Sequence, residues 1–441
     1  MEKKVYIKTW GCQMNEHDSD LLQNILKKKK YIIVKNPEMS DILILNTCSI
    51  REKAQEKVFH QLGRWKKLKD KNNNIIIAVG GCVASQEGIK IFERAKFINI
   101  IFGPQTLHKL PNLLNKVTKK NPFFIDIKLK SLKKFNLNFI KTIQKKCVEY
   151  VSIIEGCNQF CSFCIVPYTR GKEISRPSKD ILLEIKKLSQ TGIREIILLG
   201  QNVNAYIEKK KNKIYDFSDL LLDISKIDKI LRIRYVTSHP KKFTNKLIQL
   251  YQKIPKLVNF LHLPVQSGSN RILKLMKRGY TIEEYINLIY QIKKIRPQMV
   301  FSSDFIVGYP GETKKDFEKT INLIKNINFD TSFSFLYSSR PGTKASKLKD
   351  FLSLEEKKKR LYKLQKIIKL QSFQWRRRML GTIQNVLVEG VSKKNHVKEL
   401  FGKTENNRQV YFSGDSSYIG KLVKIKIIEI NYNSFLKGKL L

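Results

Sequence analysis

Short apolar runs, separated by stretches of helical period, divide the chain into three regions. From residue 1 to about 120, runs at Val5–Lys8, Tyr31–Val34, Ile42–Leu45, Ile75–Val79 and Ile98–Phe102 read as strands, with helix between them, as at Arg51–Leu68. That alternation predicts an open α/β sheet. A basic, irregular stretch from 120 to 145 reads as a linker. A second strand–helix series occupies 143–378. Its strands are expected at Tyr150–Ile154, Glu195–Leu199, Ile233–Thr237, Asn259–Leu263, Val300–Ile306 and Ser332–Tyr337, and its helices at Lys179–Gln190, Lys242–Gln252, Ile282–Lys294 and Lys314–Ile327. Six such units predict a partial TIM-like (βα)6 barrel, closed by a long helix over Leu354–Arg378. From 379 to 441 the pattern shortens to strands at Ile383–Glu389, Val410–Phe412 and Leu422–Ile430, punctuated by glycines, which predicts a small β-barrel.

Composition changes this picture only in part. At 441 residues and 42% apolar content the chain can fill two or three cores. It holds no run of 18 uncharged apolar residues, so no membrane helix is expected. Met1–Trp10 lacks the apolar block of a signal peptide, and a cytoplasmic location is the expectation. The formal charge of +47 suits a polyanionic partner such as RNA, because lysine and arginine release counterions from phosphates. Compositional drift explains it equally well, since Lys, Ile and Asn recur everywhere, including the run Lys27–Lys30. The terminal segment carries ten Lys and Arg against five Asp and Glu from Leu380 onward, and follows Trp375-Arg-Arg-Arg378. An RNA-holding module and a plain packing module both fit it.

The seven cysteines carry more information. An odd number in a chain expected to be cytosolic argues against a disulfide framework. Cys157, Cys161 and Cys164 lie within eight residues, in Gly156-Cys-Asn-Gln-Phe-Cys-Ser-Phe-Cys164, directly after an apolar strand. Three thiolates at this spacing suit three corners of a 4Fe–4S cube and leave the fourth iron open to a small molecule. Structural zinc is the competing reading, but it usually takes four ligands in pairs, and no second pair lies nearby. Cys12, Cys48 and Cys82 each follow a predicted strand of the first sheet. In a parallel sheet the carboxyl ends share one edge, where ligands bind, so these three can converge. The adjacent glycines would let backbone approach a bulky group. Three unrelated buried thiols are the alternative. Cys147 falls outside both trios and reads as an inert buried thiol.

The Cys-x3-Cys-x2-Cys loop on the first strand of a six-unit series resembles the radical S-adenosylmethionine superfamily. With the three spaced cysteines ahead of it and a small barrel behind, essentially the whole chain resembles the methylthiotransferase family. The matching stretches are Gly11-Cys-Gln-Met-Asn, Asn46-Thr-Cys-Ser-Ile-Arg-Glu, Gly80-Gly-Cys, Gly200-Gln-Asn-Val-Asn, Ser238-His-Pro, Leu263-Pro-Val-Gln-Ser-Gly-Ser and Asp304-Phe-Ile-Val-Gly-Tyr-Pro-Gly-Glu. The resemblance implies a 4Fe–4S cluster on Cys157, Cys161 and Cys164 that binds S-adenosylmethionine, and an auxiliary 4Fe–4S cluster on Cys12, Cys48 and Cys82. It implies S-adenosylmethionine as both methyl donor and source of a 5′-deoxyadenosyl radical. The terminal barrel resembles the TRAM module of RNA-modifying enzymes. Within the family, Asn46–Phe59 most resembles members that methylthiolate carbon 2 of N6-(dimethylallyl)adenosine at tRNA position 37, beside the anticodon. Carbon 2 of adenine resists polar sulfur chemistry, which gives a radical generator its purpose. An electron donor and a sulfur source are further implied partners, and the chain is expected to act as a monomer.

By the same resemblance Phe163 is expected against the adenine of S-adenosylmethionine. Gln201 and Ser238, at carboxyl strand ends, are expected to contact that cofactor, and Gly308 is expected to permit close approach to the nucleoside. His262 and Arg340 carry weaker expectations, and Glu155 and Glu312 none. Three other readings stay open: a family member acting on a ribosomal-protein aspartate, one acting on threonylcarbamoyl-adenosine of tRNA, and a non-catalytic, metal-containing RNA-binding protein.

Overall fold

A computed structural model describes residues 2–49, 52–129, 146–211, 213–392, 399–431 and 435–441. The greater part of the expected linker, from 130 to 145, lies outside the described residues, as do Ile50 and Arg51.

The first region is a six-stranded parallel sheet. Its strands are β1 (Lys4–Thr9), β2 (Ile32–Ile33), β3 (Ile42–Thr47), β4 (Ile76–Gly81), β5 (Ile100–Phe102) and β6 (Phe124–Asp126), in the order β2-β1-β3-β4-β5-β6. All six residues of β3 and of β4 are buried. That is why they read as unbroken apolar runs, since a parallel sheet is covered on both faces. Leu43, Leu45, Ile77 and Val79 pack beneath Val58, Leu62 and Trp65 of the helix Glu52–Lys71. Ile42, Ile44, Ile76 and Ala78 face the other way, against Leu21, Leu22 and Leu26 of the helix Gln13–Lys28. The sheet runs one strand past residue 120, because β6 offers only three residues behind Pro122 and gives no periodic signal.

The second region follows the expected βα order. β7 (Val148–Ser152) leads to a short antiparallel pair, β8 (Ile154–Glu155) with β9 (Ile174–Ser175), which brackets the cysteine loop. β10 (Glu195–Leu199) lies parallel to β7 on one side and, beyond a small hairpin of β11 (Ile207–Lys210) and β12 (Lys213–Asp216), to β13 (Arg232–Tyr235) on the other. A bridge from Ile233 to Leu257 continues the sheet to β14 (Phe260–His262) and its neighbour β15 (Val300–Ser302). A second bridge, from Gln266 to Phe305, joins β16 (Asp304–Val307) and β17 (Phe333–Leu336). One expected strand, Val300–Ile306, is therefore split at Ser303. The helix Leu354–Arg377 packs along β16 and β17.

The terminal region is a closed barrel of β18 (Ile383–Val391), β19 (Leu400–Thr404), β20 (Gln409–Phe412), β21 (Leu422–Ile430) and β22 (Leu436–Leu440), ordered β18-β19-β20-β22-β21. It sits on the amino ends of the (βα)6 strands. Arg232, first in β13, donates to the carbonyls of Lys403 (2.6 Å) and Asn385 (2.8 Å). The Cys147 thiol, just before β7, donates to the carbonyl of Val388 at 3.3 Å, and burial pushes its pKa up to about 12. Arg408 of the barrel pairs with Asp330, just before β17, with both side chains buried. Breaking a buried ion pair from one side typically costs about 3–5 kcal/mol, because the remaining charge is stranded. Asp330→Asn is therefore expected to lower stability by roughly that amount in urea denaturation, and the double variant Asp330→Asn with Arg408→Met to recover part of the loss. Equal stability of Asp330→Asn and the parent would show that the pair does not hold the barrel.

Among the described residues no helix is long and apolar enough to cross a membrane.

Candidate functional site

The cysteine loop begins where the backbone turns sharply. Gly156 has φ +81°, and a Cβ there would lie 2.0 Å from the carbonyl oxygen of Lys172, so only glycine lets the two ends of the loop meet. The Gly156 N–H donates to Gln201 Oε1 at 2.7 Å, and the Cys157 N–H to the carbonyl of Gly171 at 3.1 Å. Ser162 fixes the middle of the loop: its N–H donates to the carbonyl of Met276, and its hydroxyl lies 2.8 Å from both the Leu275 carbonyl and the Tyr309 hydroxyl. Arg278, which is buried, directs Nη1 to Cys161 Sγ at 3.5 Å and Nη2 to the Pro264 carbonyl at 2.7 Å. Burial pushes the Cys157 thiol up to about 11 and the Cys164 thiol up to about 12. Such thiols lose their protons readily only when a metal cation takes up the thiolate, the proton passing to solvent.

The first trio is built by sheet topology. Cys12 precedes the helix Gln13–Lys28, Cys48 follows β3, and Cys82 opens the helix Cys82–Glu87 after β4. Gly11 lets the β1 end approach the β3 end, since a Cβ there would lie 2.3 Å from Cys48 Cβ. A hydrogen bond with Cys48, followed by the charge of Arg170, draws the Cys12 thiol down to about 6 against its burial. Burial raises the Cys82 thiol, opposed by the charge of Arg170 and its hydrogen bond.

The start of the helix Gln13–Lys28, at the carboxyl end of the first sheet, packs on the second region. Met14 packs with Cys12 against Ile197, Leu199, Tyr150 and Val236, the residues of β7, β10 and the β13 end that point away from the helical layer. This leaves one cavity of about 280 Å³. Its wall holds Cys12 from one trio and Cys157, Cys161 and Cys164 from the other. Phe163, Gln201, Ser238, His239, Arg278 and Asp304 line it as well. The donors fit iron–sulfur clusters better than a single ion. Both trios consist of soft thiols alone. A cube takes each thiolate at a separate corner.

The other expected residues fall as follows. Phe163 lines the cavity and packs beside Ile272, Met276 and Tyr309. Gln201 lines it while holding the Gly156 N–H, and Ser238 lines it while its hydroxyl donates to the His262 carbonyl at 2.9 Å. Gly308 is not among the lining residues. Its φ is +71°, and a Cβ there would lie 2.6 Å from the Lys357 side chain, so the packing of the helix Leu354–Arg377 explains the glycine. His262 bonds Ser302 (3.0 Å) and lies 3.4 Å from Asp304. Arg340 is buried beyond the lining set. Glu312 accepts from Arg360 at 2.9 Å, a structural pair, and Glu155 from Arg170 at 2.8 Å. Sequence reasoning missed Arg170, Arg278 and Asp304. Asp304 stands inside a quoted motif, while the arginines carry no local signal.

A curved six-unit sheet with three cysteines on the loop after its first strand defines the class: a radical S-adenosylmethionine domain, which binds S-adenosylmethionine at a 4Fe–4S cluster. Residues 151–324 match the Radical SAM superfamily, residues 4–103 the Uncharacterized protein family UPF0004, and residues 377–441 the TRAM domain. The chain belongs to the tRNA-2-methylthio-N(6)-dimethylallyladenosine synthase family. A member from Buchnera aphidicola subsp. Cinara cedri is 65% identical over 97% of this chain and 99% of its own length. One from Sodalis glossinidius is 54% identical over 100% of this chain and 93% of its own. Among solved structures, the radical S-adenosylmethionine methyltransferase TsrM from Kitasatospora setae shares the fold, with a TM-score of 0.57 at 13% identity over 78% of this chain and 77% of that one.

Proposed function

We propose that this chain methylthiolates carbon 2 of N6-(dimethylallyl)adenosine at position 37 of tRNA, using S-adenosylmethionine as radical source and methyl donor. The observation that carries this reading is a cavity lined both by Cys12 and by Cys157, Cys161 and Cys164. Full-length relatives bearing the name of that synthase support the choice of substrate. When bound, 4Fe–4S clusters on the two trios supply an electron for cleaving S-adenosylmethionine and an open iron for holding the sulfur to be inserted.

The chain's own residues bring these parts together and keep water out. Gln201 and Ser162 hold the Cys157–Cys164 loop rigid, so its thiols need no reordering when loaded. Arg278 offsets the negative charge of the loop's thiolates. Phe163 and Met14 supply apolar wall, which protects a carbon radical from side reactions. The terminal barrel, seated at the opposite strand ends, gives the tRNA a second surface to grip outside the cavity. An electron donor and a sulfur source act from outside the chain.

The test is expression in a bacterial strain lacking its own such activity, followed by mass spectrometry of tRNA nucleosides. Dimethylallyl-adenosine should give way to its 2-methylthio derivative. An unchanged tRNA profile beside a methylthiolated ribosomal protein would assign the chain to the aspartate-modifying branch instead. Modified threonylcarbamoyl-adenosine would reassign it within the tRNA branch.

A further inference from the structure

Two buried polar atoms of the cavity lining have no hydrogen-bond partner among the described residues: Nε2 of His239 and Oδ1 of Asn202. Their residues are 5% and 2% exposed. A buried polar group left unpaired is costly, so each asks for a reason.

His239 follows β13 and is held from both sides. Its N–H donates to Asn204 Oδ1 and its carbonyl accepts from Asn204 Nδ2, both at 2.9 Å. Its Nδ1 accepts from the Lys241 N–H at 3.3 Å and caps the short turn Pro240–Lys242. Nδ1 therefore carries no proton, and the ring's one proton sits on Nε2. Burial, then the charge of Arg278, draws the pKa down to about 2, so the ring stays neutral. Capping does not account for the histidine, because asparagine or serine caps such a turn as well. Thr237, two residues earlier, lines the same cavity with φ +65°, a strained conformation for a β-branched residue. Strain of this kind persists only where the surroundings impose it, and it gathers at ligand sites.

The surroundings select the acceptor. His239 and Arg278 pack on one ring: the imidazole meets Tyr280 edge-on at 5.7 Å between centroids, and the guanidinium lies 5.3 Å from the Tyr280 centroid. Arg278 commits three of its five donors, to the Tyr280 hydroxyl, Cys161 Sγ and the Pro264 carbonyl. Among the described residues it is the one Lys or Arg of the cavity lining. A neutral donor beside a cation with donors to spare suits a carboxylate better than an uncharged base. The unpaired oxygen of Asn202, after the neighbouring strand β10, suits an ammonium. The methionine end of S-adenosylmethionine carries both groups on one carbon.

We infer that His239 donates its Nε2–H to the carboxylate of S-adenosylmethionine, beside Arg278, and so sets the affinity for that cofactor. The inference rests on the reading of this cavity as the S-adenosylmethionine site.

The experiment measures dissociation constants by anaerobic equilibrium dialysis, without reductant, on full-length protein with reconstituted clusters and matched iron. The probes are S-adenosylmethionine and its decarboxylated form, which lacks only the carboxylate. His239→Asn keeps an oxygen for the Lys241 N–H but places no donor where Nε2 stood. It should weaken S-adenosylmethionine about tenfold or more and leave the decarboxylated form unchanged. His239→Gln, whose amide nitrogen reaches that place, should stay nearer the parent. His239→Ser, a second cap without the donor, repeats the test should His239→Asn not fold. Parental affinity for S-adenosylmethionine in the asparagine and serine variants would overturn the inference. So would an equal loss for both probes, which would move the donor to the adenosine end. A parent that binds neither probe would overturn the reading of the cavity, and the inference with it.

Discussion

Alanine at Cys161 is expected to abolish the formation of 5′-deoxyadenosine and to reduce the iron of the reconstituted chain from about eight to about four per molecule. The loop offers three thiols for three irons, so a single loss leaves the cube without a full set. Cys161 is also the sulfur that Arg278 addresses at 3.5 Å, and its removal leaves a buried cation facing no anion. Tight turns and hydrogen bonds through Gly156, Ser162 and Gln201 hold the remaining loop, so the protein should still fold. Affinity for tRNA should survive, because the barrel docks at the opposite ends of the strands. Iron and sulfide counting, with chromatography of the nucleoside, reads the outcome. Undiminished 5′-deoxyadenosine from this variant would place the radical source elsewhere.

Alanine at Cys82 should produce a different failure. Iron again falls to about four, but the second trio is intact, so S-adenosylmethionine is still cleaved. The methylthio product should disappear, and turnover of S-adenosylmethionine should run uncoupled from tRNA modification. The geometry supports this separation. Cys82 lies in the first sheet, and Arg170 keeps Asp18 and Glu155 as partners when the sulfur is gone, so the two domains stay joined. Product formation at the parent rate by Cys82→Ala would refute a role of the first trio in sulfur insertion. Loss of 5′-deoxyadenosine as well would show that the trios are not independent.

Much of this architecture was legible because it is local. Glu195–Leu199 and Lys314–Ile327 fall where the apolar pattern places them, the first a fully buried parallel strand and the second opened by a Thr313 capping box. The barrel was half legible. β19 and β22 carry Gly402 and Gly438, which weaken a strand pattern; yet a Cβ at these glycines would meet the Leu387 carbonyl at 2.2 Å and Ile425 at 2.1 Å. Closure of the barrel demands there the residue that periodicity counts against. Gly308 shows a related limit of what a glycine says in sequence. A glycine at a strand end signals a close approach, but not by what, and here the neighbour is the Lys357 side chain.

By itself the sequence determined the two cysteine trios, the order of the three regions and the kind of chemistry. Three thiols within eight residues, or one at each of three strand ends, follow from spacing and strand order alone. Only the tertiary structure decided that Cys12 and Met14 of the first region pack on the second, that one cavity reaches Cys12 and the Cys157–Cys164 loop, and that the barrel sits at the far end. It alone revealed Arg278, 117 residues from the cysteine it addresses, and Arg170, 152 residues from Asp18. A charge at such a distance along the chain leaves no periodic trace. Its effect on a cluster depends on burial and direction, which exist only once the domains are packed.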